Sequence, residues 1–193
     1  MACVSDRRNE ILEAAVRVIA QSGVRGLRIE KLAAEAGIST ALIYYHFDNR
    51  AGVIRSALEY VNDRAARYTE QAIVTADPRA QVEQMLLLEI QGIPTVRENS
   101  IAWGELRASA VFTEDLREEL RDATNAWSGD IARVITRAQE SGRVAATVDP
   151  LDSADRLTAL VEGLSERWLS GSITLERAQH LLAGAITAEL GPA

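Results

Sequence analysis

Apolar residues recur at spacings of three and four along almost the whole chain, and the strict apolar–polar alternation of a half-buried strand is nearly absent. Ile11, Leu12, Ala15, Val18 and Ile19 form one stripe of a first helix, which Ser5 caps and Gly23 stops. A short second helix from Arg28 to Ala36 turns Ile29, Leu32, Ala33 and Ala36 inward. Gly37 follows it where the chain must bend with φ > 0. Ser39 caps a third helix, Thr40 to Tyr45, with Ile38, Ile43 and Phe47 toward the core. The head therefore reads as helix, tight turn, helix.

A longer helix opens at Arg50 and carries Ile54, Leu58, Val61, Ala65, Tyr68 and Ala72 toward about Thr75. Asp77 as cap and Pro78 as first helical residue start the next one, with Val82, Met85, Leu86 and Ile90 as its stripe, until Gly92 and Pro94 break it. A helix over Thr95 to Ala110 follows. Thr113 then caps a long one carrying Leu116, Leu120, Ala123, Trp127, Ile131, Val134 and Ala138, which Gly142 closes. After Asp149-Pro150, the residues Ala154, Leu157, Val161, Leu164 and Trp168 make a seam suited to packing on another helix. Gly171 ends that helix, and Thr174 caps a last one with Ala178, Leu182, Ala185 and Ile186 on one side. The expected fold is all-α, about nine helices, with a helix-turn-helix head at 1–50 continuing into a linking helix to about 75 and a helical body over 51–193.

Composition narrows the partners. With 47% hydrophobic and 25% charged residues in 193, the chain reads as globular and soluble. No run approaches the roughly 20 apolar residues of a membrane span. Residues 1–20 carry Asp6, Arg7, Arg8, Glu10 and Glu13 and so do not read as a secretory signal, and the expected location is the cytoplasm, away from membranes. One cysteine, Cys3, and two histidines, His46 and His180, offer neither a disulfide framework nor a metal site, and no cofactor is expected. The net charge of −7 is unevenly placed. Residues 1–50 hold seven cations (Arg7, Arg8, Arg17, Arg25, Arg28, Lys31, Arg50) against six anions, while the rest of the chain holds 14 cations against 22 anions. An acidic body with a near-neutral head is compatible with binding DNA through one cationic face.

Residues 23–54, GVRGLRIEKLAAEAGISTALIYYHFDNRAGVI, carry the most specific signal. Gly26-Leu27, Leu32-Ala33, the turn Ala36-Gly37-Ile38-Ser39, the block Ile43-Tyr44-Tyr45-His46-Phe47 and the basic Arg50 together closely resemble the DNA-binding signature of the tetracycline-repressor (TetR) family. The residues support the resemblance on their own terms. Ala33 is small where two helices cross, and Gly37 lets the connection bend. Ser39, Thr40 and Ala41 lead the third helix, where hydroxyls reach base edges and a methyl group meets thymine in the major groove. The resemblance puts Tyr44 and His46 near phosphates or base edges, and Tyr45 belongs to the same polar, clustered block. Arg28 and Arg50 open helices whose N-terminal amides also favour a phosphate. Each of these residues also has a plainer reading: tyrosines as packing, His46 as a structural neighbour of Phe47, the arginines as solvated cations. Two positions depart from the common pattern. Arg28 replaces the usual threonine and is the poorer cap, and Leu42 stands where a threonine often provides a hydroxyl.

The resemblance further implies a homodimer on a palindromic operator in double-stranded DNA, with an effector pocket among the central helices. A short recognition helix makes few base contacts, and doubling it across a palindrome supplies affinity and fixes the half-site spacing. The candidate interface is Leu157, Val161, Leu164 and Trp168 with Leu182 and Ile186, which equally suits an intramolecular core. Met85, Trp103, Phe112 and Trp127 are candidates to line one apolar pocket for a small-molecule effector, or to fill the core. Glu89, beside that stripe, points to a polar or cationic effector group if it faces inward, and to a solvated edge if it does not. An effector favouring one angle of the linking helix would change the spacing of the two reading heads and release the operator. The sequence holds no nucleophile–base constellation, phosphate loop or paired histidines, so an enzyme is not expected. The alternative is a helical interaction module or ligand sensor that no longer binds DNA.

Overall fold

The computed structural model describes residues 4–72 and 75–192. Cys3 and the side chains of Ser5 and Ala72 lie outside the described residues. Among those described, the chain folds into α1 (Val4–Gly26), α2 (Ile29–Ala36), α3 (Thr40–Phe47), α4 (Arg50–Ala72), α5 (Pro78–Leu88), α6 (Pro94–Ala110), a 3₁₀ turn (Glu114–Leu116), α7 (Arg117–Glu140), α8 (Pro150–Leu169) and α9 (Leu175–Leu190), with no strand. None of these helices is long and apolar enough to cross a membrane.

Local chemistry sets most of the boundaries. Asp77, Asp149 and Thr174 hold extended backbone and accept from amides of the first turn, with Pro78 and Pro150 as first helical residues of α5 and α8. Gly23 (φ 70°, ψ 169°) interrupts the regular helix of α1, as its position after the apolar stripe leads one to expect. Thr113 differs from expectation. It precedes the 3₁₀ turn and makes no side-chain cap, so α7 starts only at Arg117. Asp115 and Leu116 instead follow the tighter three-residue winding that commonly leads into an α-helix.

Two compact units result. The first comprises residues 1–64 and 98–121, the second 65–97 and 122–193, so the boundaries fall inside α4, α6 and α7. In the first unit Ile11, Leu12, Ile19, Leu27, Leu32, Ile43, Phe47, Leu58 and Leu106 are buried in one core. Polar ties rim it: Arg17 to Glu35 at 2.7 Å, Lys31 to Ser22 at 2.7 Å, and the Tyr60 hydroxyl to Glu13 at 3.1 Å.

The second unit is built on α8 packed against α9, with α5 touching both. Its core holds Val82, Leu86, Ile90, Ile131, Ile135, Leu157, Val161, Leu164, Leu182 and Ile186. Arg79 is fully buried beside it, donating from Nε (3.1 Å) and Nη2 (2.7 Å) to the carbonyl of Gly191, which ends α9. A cation at the negative end of a helix satisfies carbonyls that have no intrahelical partner. Arg156 and Ser153 of α8 both reach Glu189 of α9, and the Arg156 hydrogen bond holds that carboxyl below the usual carboxylate range.

Candidate functional site

The turn between α2 and α3 is made by two residues. Gly37 takes a left-handed conformation (φ 66°, ψ 34°) and closes α2, and the hydroxyl of Ser39 accepts from the Leu42 amide at 3.3 Å to open α3. Nothing lies within 4 Å of where a Cβ on Gly37 would be, so the glycine answers to backbone conformation alone. Ile43 and Phe47 anchor α3 in the core. The opposite face is open: Ser39 and Ala41 are exposed, Thr40 partly so, and Tyr44 and Tyr45 are 47% and 73% exposed. Tyr45 thus stands largely in solvent and Tyr44 about half so, more than core packing alone would leave open. His46 is half-buried, its ring edge-on to Tyr45 at 5.1 Å and tilted against Phe47 at 6.1 Å, so it supports the helix end as well as bordering the face.

The far end of α3 is fixed with equal economy of sequence. Asp48 is the described non-glycine residue with positive φ (58°), and Asn49 Oδ1 accepts from the Gly52 amide at 2.9 Å to cap α4. A Cβ on Gly52 would collide with the Phe47 carbonyl oxygen.

The cations of residues 1–50 divide into two sets. Arg7, Arg17, Lys31 and Arg8 are engaged with Glu10, Glu35, Ser22 and Ser56 respectively, and Arg8 also lies over the Phe47 ring at 5.1 Å. Arg28, the extended residue before α2, makes no side-chain cap; it and Arg25 are exposed, and neither has a partner among the described residues. Sequence alone does not single out Arg25, although it lies three positions before Arg28. Arg50 is placed differently from the expectation of a simple phosphate cation. Its Nε donates to the Leu27 carbonyl and its Nη2 to the Val24 carbonyl, each at 2.5 Å, while the side chain remains on the surface. It binds the α1–α2 connection, whatever else it touches.

The residues suggested for an effector pocket belong to both units. Met85 and Trp127 pack, partly buried, on the core of the second unit, while Trp103 packs on that of the first, with Arg107 over its ring at 5.4 Å. Phe112 departs from the expectation of an apolar lining: it is 81% exposed at the α6–α7 turn. Glu89 faces inward. It closes α5 and accepts from the Tyr68 hydroxyl at 2.5 Å and from Thr69 Oγ1 at 3.2 Å. Burial pushes its carboxyl above the ordinary range, against the lowering effect of those two hydroxyls. It nonetheless keeps some accessible surface. Sequence places Tyr68 on the α4 stripe but gives no sign that it meets Glu89.

The seam proposed as an interface is inside the chain. Leu157, Val161, Leu164, Leu182 and Ile186 are at most 3% exposed, and Trp168 is half-buried with Arg97 5.8 Å from its ring centre. A heptad-like stripe shows that a helix partner exists, and here the partner is intramolecular. The outward stripes of α8 and α9 are different residues, among them Ala159, Gly163, His180, Gly184 and Ala188, with open space above both glycines.

Comparison with known proteins agrees with this geometry. Residues 11–57 match the family model described as bacterial regulatory proteins, tetR family, and residues 78–191 match that of the BetI-type transcriptional repressor, C-terminal. The chain is 28% identical over 174 residues to the transcriptional regulator TtgR of Pseudomonas putida, covering 85% of this chain and 80% of that one. A TetR-family regulator from a Rhodococcus species has a solved structure with TM-score 0.91 and 46% identity, spanning 97% of this chain and 100% of its own. A regulator from Saccharomonospora viridis, solved in complex with choline, superposes with TM-score 0.85 at 28% identity, spanning 96% and 98% of the two chains. With one family model on the exposed-helix head, a second on most of the remaining helices and a close structural relative along the full length, the chain belongs to the TetR family of DNA-binding transcriptional regulators.

Proposed function

We propose that the protein is a dimeric repressor working in the cytoplasm, holding a palindromic operator through α3 and released from it by a small cationic effector that binds at Glu89. The observation that carries the DNA half is the outward face of α3. Ser39, Thr40 and Ala41 at its N-terminal end are the base-reading positions, and Tyr44, Tyr45 and His46 border the phosphate backbone. Arg28, joined by Arg25, anchors a phosphate at the start of α2; both are exposed and unengaged among the described residues, and the first amides of that helix favour an anion. Arg50 contributes chiefly by holding the α1–α2 connection. A second copy packs on the outward stripes of α8 and α9, where Gly163 and Gly184 let backbones approach.

The effector half rests on Glu89. An enclosed carboxylate is costly to ionise, and a ligand ammonium arriving beside it recovers that cost, which favours cations over neutral or anionic compounds. Tyr68 adds an aromatic ring of the kind that attracts quaternary ammonium groups. The choline-bound relative makes choline the first compound to test. Release requires that the effector bind the DNA-incompetent state more tightly than the competent one.

The experiment is a selection of duplexes from a random library, followed by fluorescence anisotropy with the selected duplex. Arg28→Ala is expected to lower the slope of log Kd against log salt by about one. Choline is expected to raise the Kd of the unsubstituted protein. Failure to select any duplex would contradict the DNA half, and indifference to choline and to other ammonium compounds would contradict the effector half.

A further inference from the structure

The connection between α1 and α2 is held by side chains from two other helices. At Gly23 the backbone leaves helical geometry, so the amide of Val24 has no intrahelical acceptor. Glu105 on α6, 81 positions further along, supplies one: its Oε2 accepts from the Val24 amide at 3.2 Å. Arg50, the first residue of α4, takes the other side of the same residue, donating to the Val24 carbonyl at 2.5 Å and to that of Leu27. Val24 is thus gripped at both its amide and its carbonyl, while its side chain and that of Leu27 are buried. Glycine at 23 answers to the backbone conformation and leaves the Glu105 carboxylate in place. Its φ of 70° is left-handed, and a Cβ there would lie 2.6 Å from Glu105 Oε2, so the carboxylate would have to swing away from the Val24 amide to make room.

This bracket stands immediately before α2. Leu27 precedes its cap, Arg28, by one residue, and α2 joins α3 through the Gly37 turn. The path of residues 23–28 therefore sets where α2 starts and, through it, how α3 presents its outward face. We infer that Glu105 is a positioning residue for DNA recognition: it touches no DNA, and with Arg50 it fixes the Val24 peptide and so the direction of the α2–α3 wedge. Glu105 is itself on the surface, so its bond contributes direction more than stability.

Charge and hydrogen bonding predict opposite signs, which makes the inference testable. Removing an anion from a DNA-binding head tightens binding if only charge matters. Glu105→Gln and Glu105→Ala remove the same charge, but only glutamine keeps an acceptor for the Val24 amide. With the selected duplex, Glu105→Ala should bind about 3- to 10-fold more weakly than Glu105→Gln, with the same salt slope and closely similar melting temperatures. Equal affinities for the two variants would overturn the inference. A measurement without DNA stands beside this one. Amide hydrogen exchange followed by NMR should accelerate at Val24 in Glu105→Ala relative to Glu105→Gln, with α3 amides unchanged; equal exchange at Val24 in both variants would overturn it as well.

Discussion

The Tyr68 hydroxyl donates to Glu89 Oε2 across 2.5 Å, tying α4 to the residue that closes α5. Glutamine preserves acceptance from Tyr68 and Thr69 without the cost of an enclosed charge. The pH dependence follows from the direction of the shift. Burial raises the folded-state pKa, so between the ordinary carboxylate value and the raised one the folded protein binds more protons than the unfolded chain, and stability falls as pH rises. Glu89→Gln should therefore raise Tm by about a few degrees at neutral pH, with the gain disappearing near about pH 4, as read by calorimetry across pH. The same variant should lose its response to choline.

Arg79 supports a different prediction. Its guanidinium is fully buried and holds the Gly191 carbonyl, with Glu83 at 3.3 Å. Arg79→Ala leaves a cavity and an unsatisfied helix end and should cost about 3 kcal/mol in urea unfolding. Arg79→Lys, which keeps the charge but not the two-pronged reach to one carbonyl, should fall between that variant and the unsubstituted protein.

Two glycines flanking α3 should differ in kind. Gly37→Ala meets empty space and suffers only from its left-handed backbone, a loss of about 1 kcal/mol with a weakened but measurable affinity for the selected duplex. Gly52→Ala drives a methyl group into the Phe47 carbonyl and must displace the α3–α4 turn, so its loss of affinity should be the larger. Parallel unfolding and anisotropy titrations of the two variants check both statements.

The sequence made legible most of what depends on near neighbours, the missing cap at Thr113 excepted. The caps at Asp77, Asp149 and Thr174, the breaks at Gly23 and Gly37, and the amphipathic stripes are all written within a few positions of where they act. Contacts between distant segments were not legible. Nothing near Arg50 announces that its guanidinium will find carbonyls 23 and 26 positions earlier, and nothing near Glu105 points to Val24. The α8 seam shows the same limit: spacing identified Leu157, Val161 and Leu164 as contact residues but not that their partner is α9 of the same chain. Arg79 did leave a trace. It lies three and seven positions before Val82 and Leu86, on their apolar stripe, where a charged residue must be either an error of pattern or a buried cap.

The most direct test of the whole account is amide chemical-shift mapping of the protein bound to the selected duplex. The largest shifts should fall on Ser39–Tyr45 and around Arg25 and Arg28, leaving the core-facing Ile43 side chain in place. Unshifted amides throughout α3, with the perturbation confined to another surface of the same complex, would contradict it.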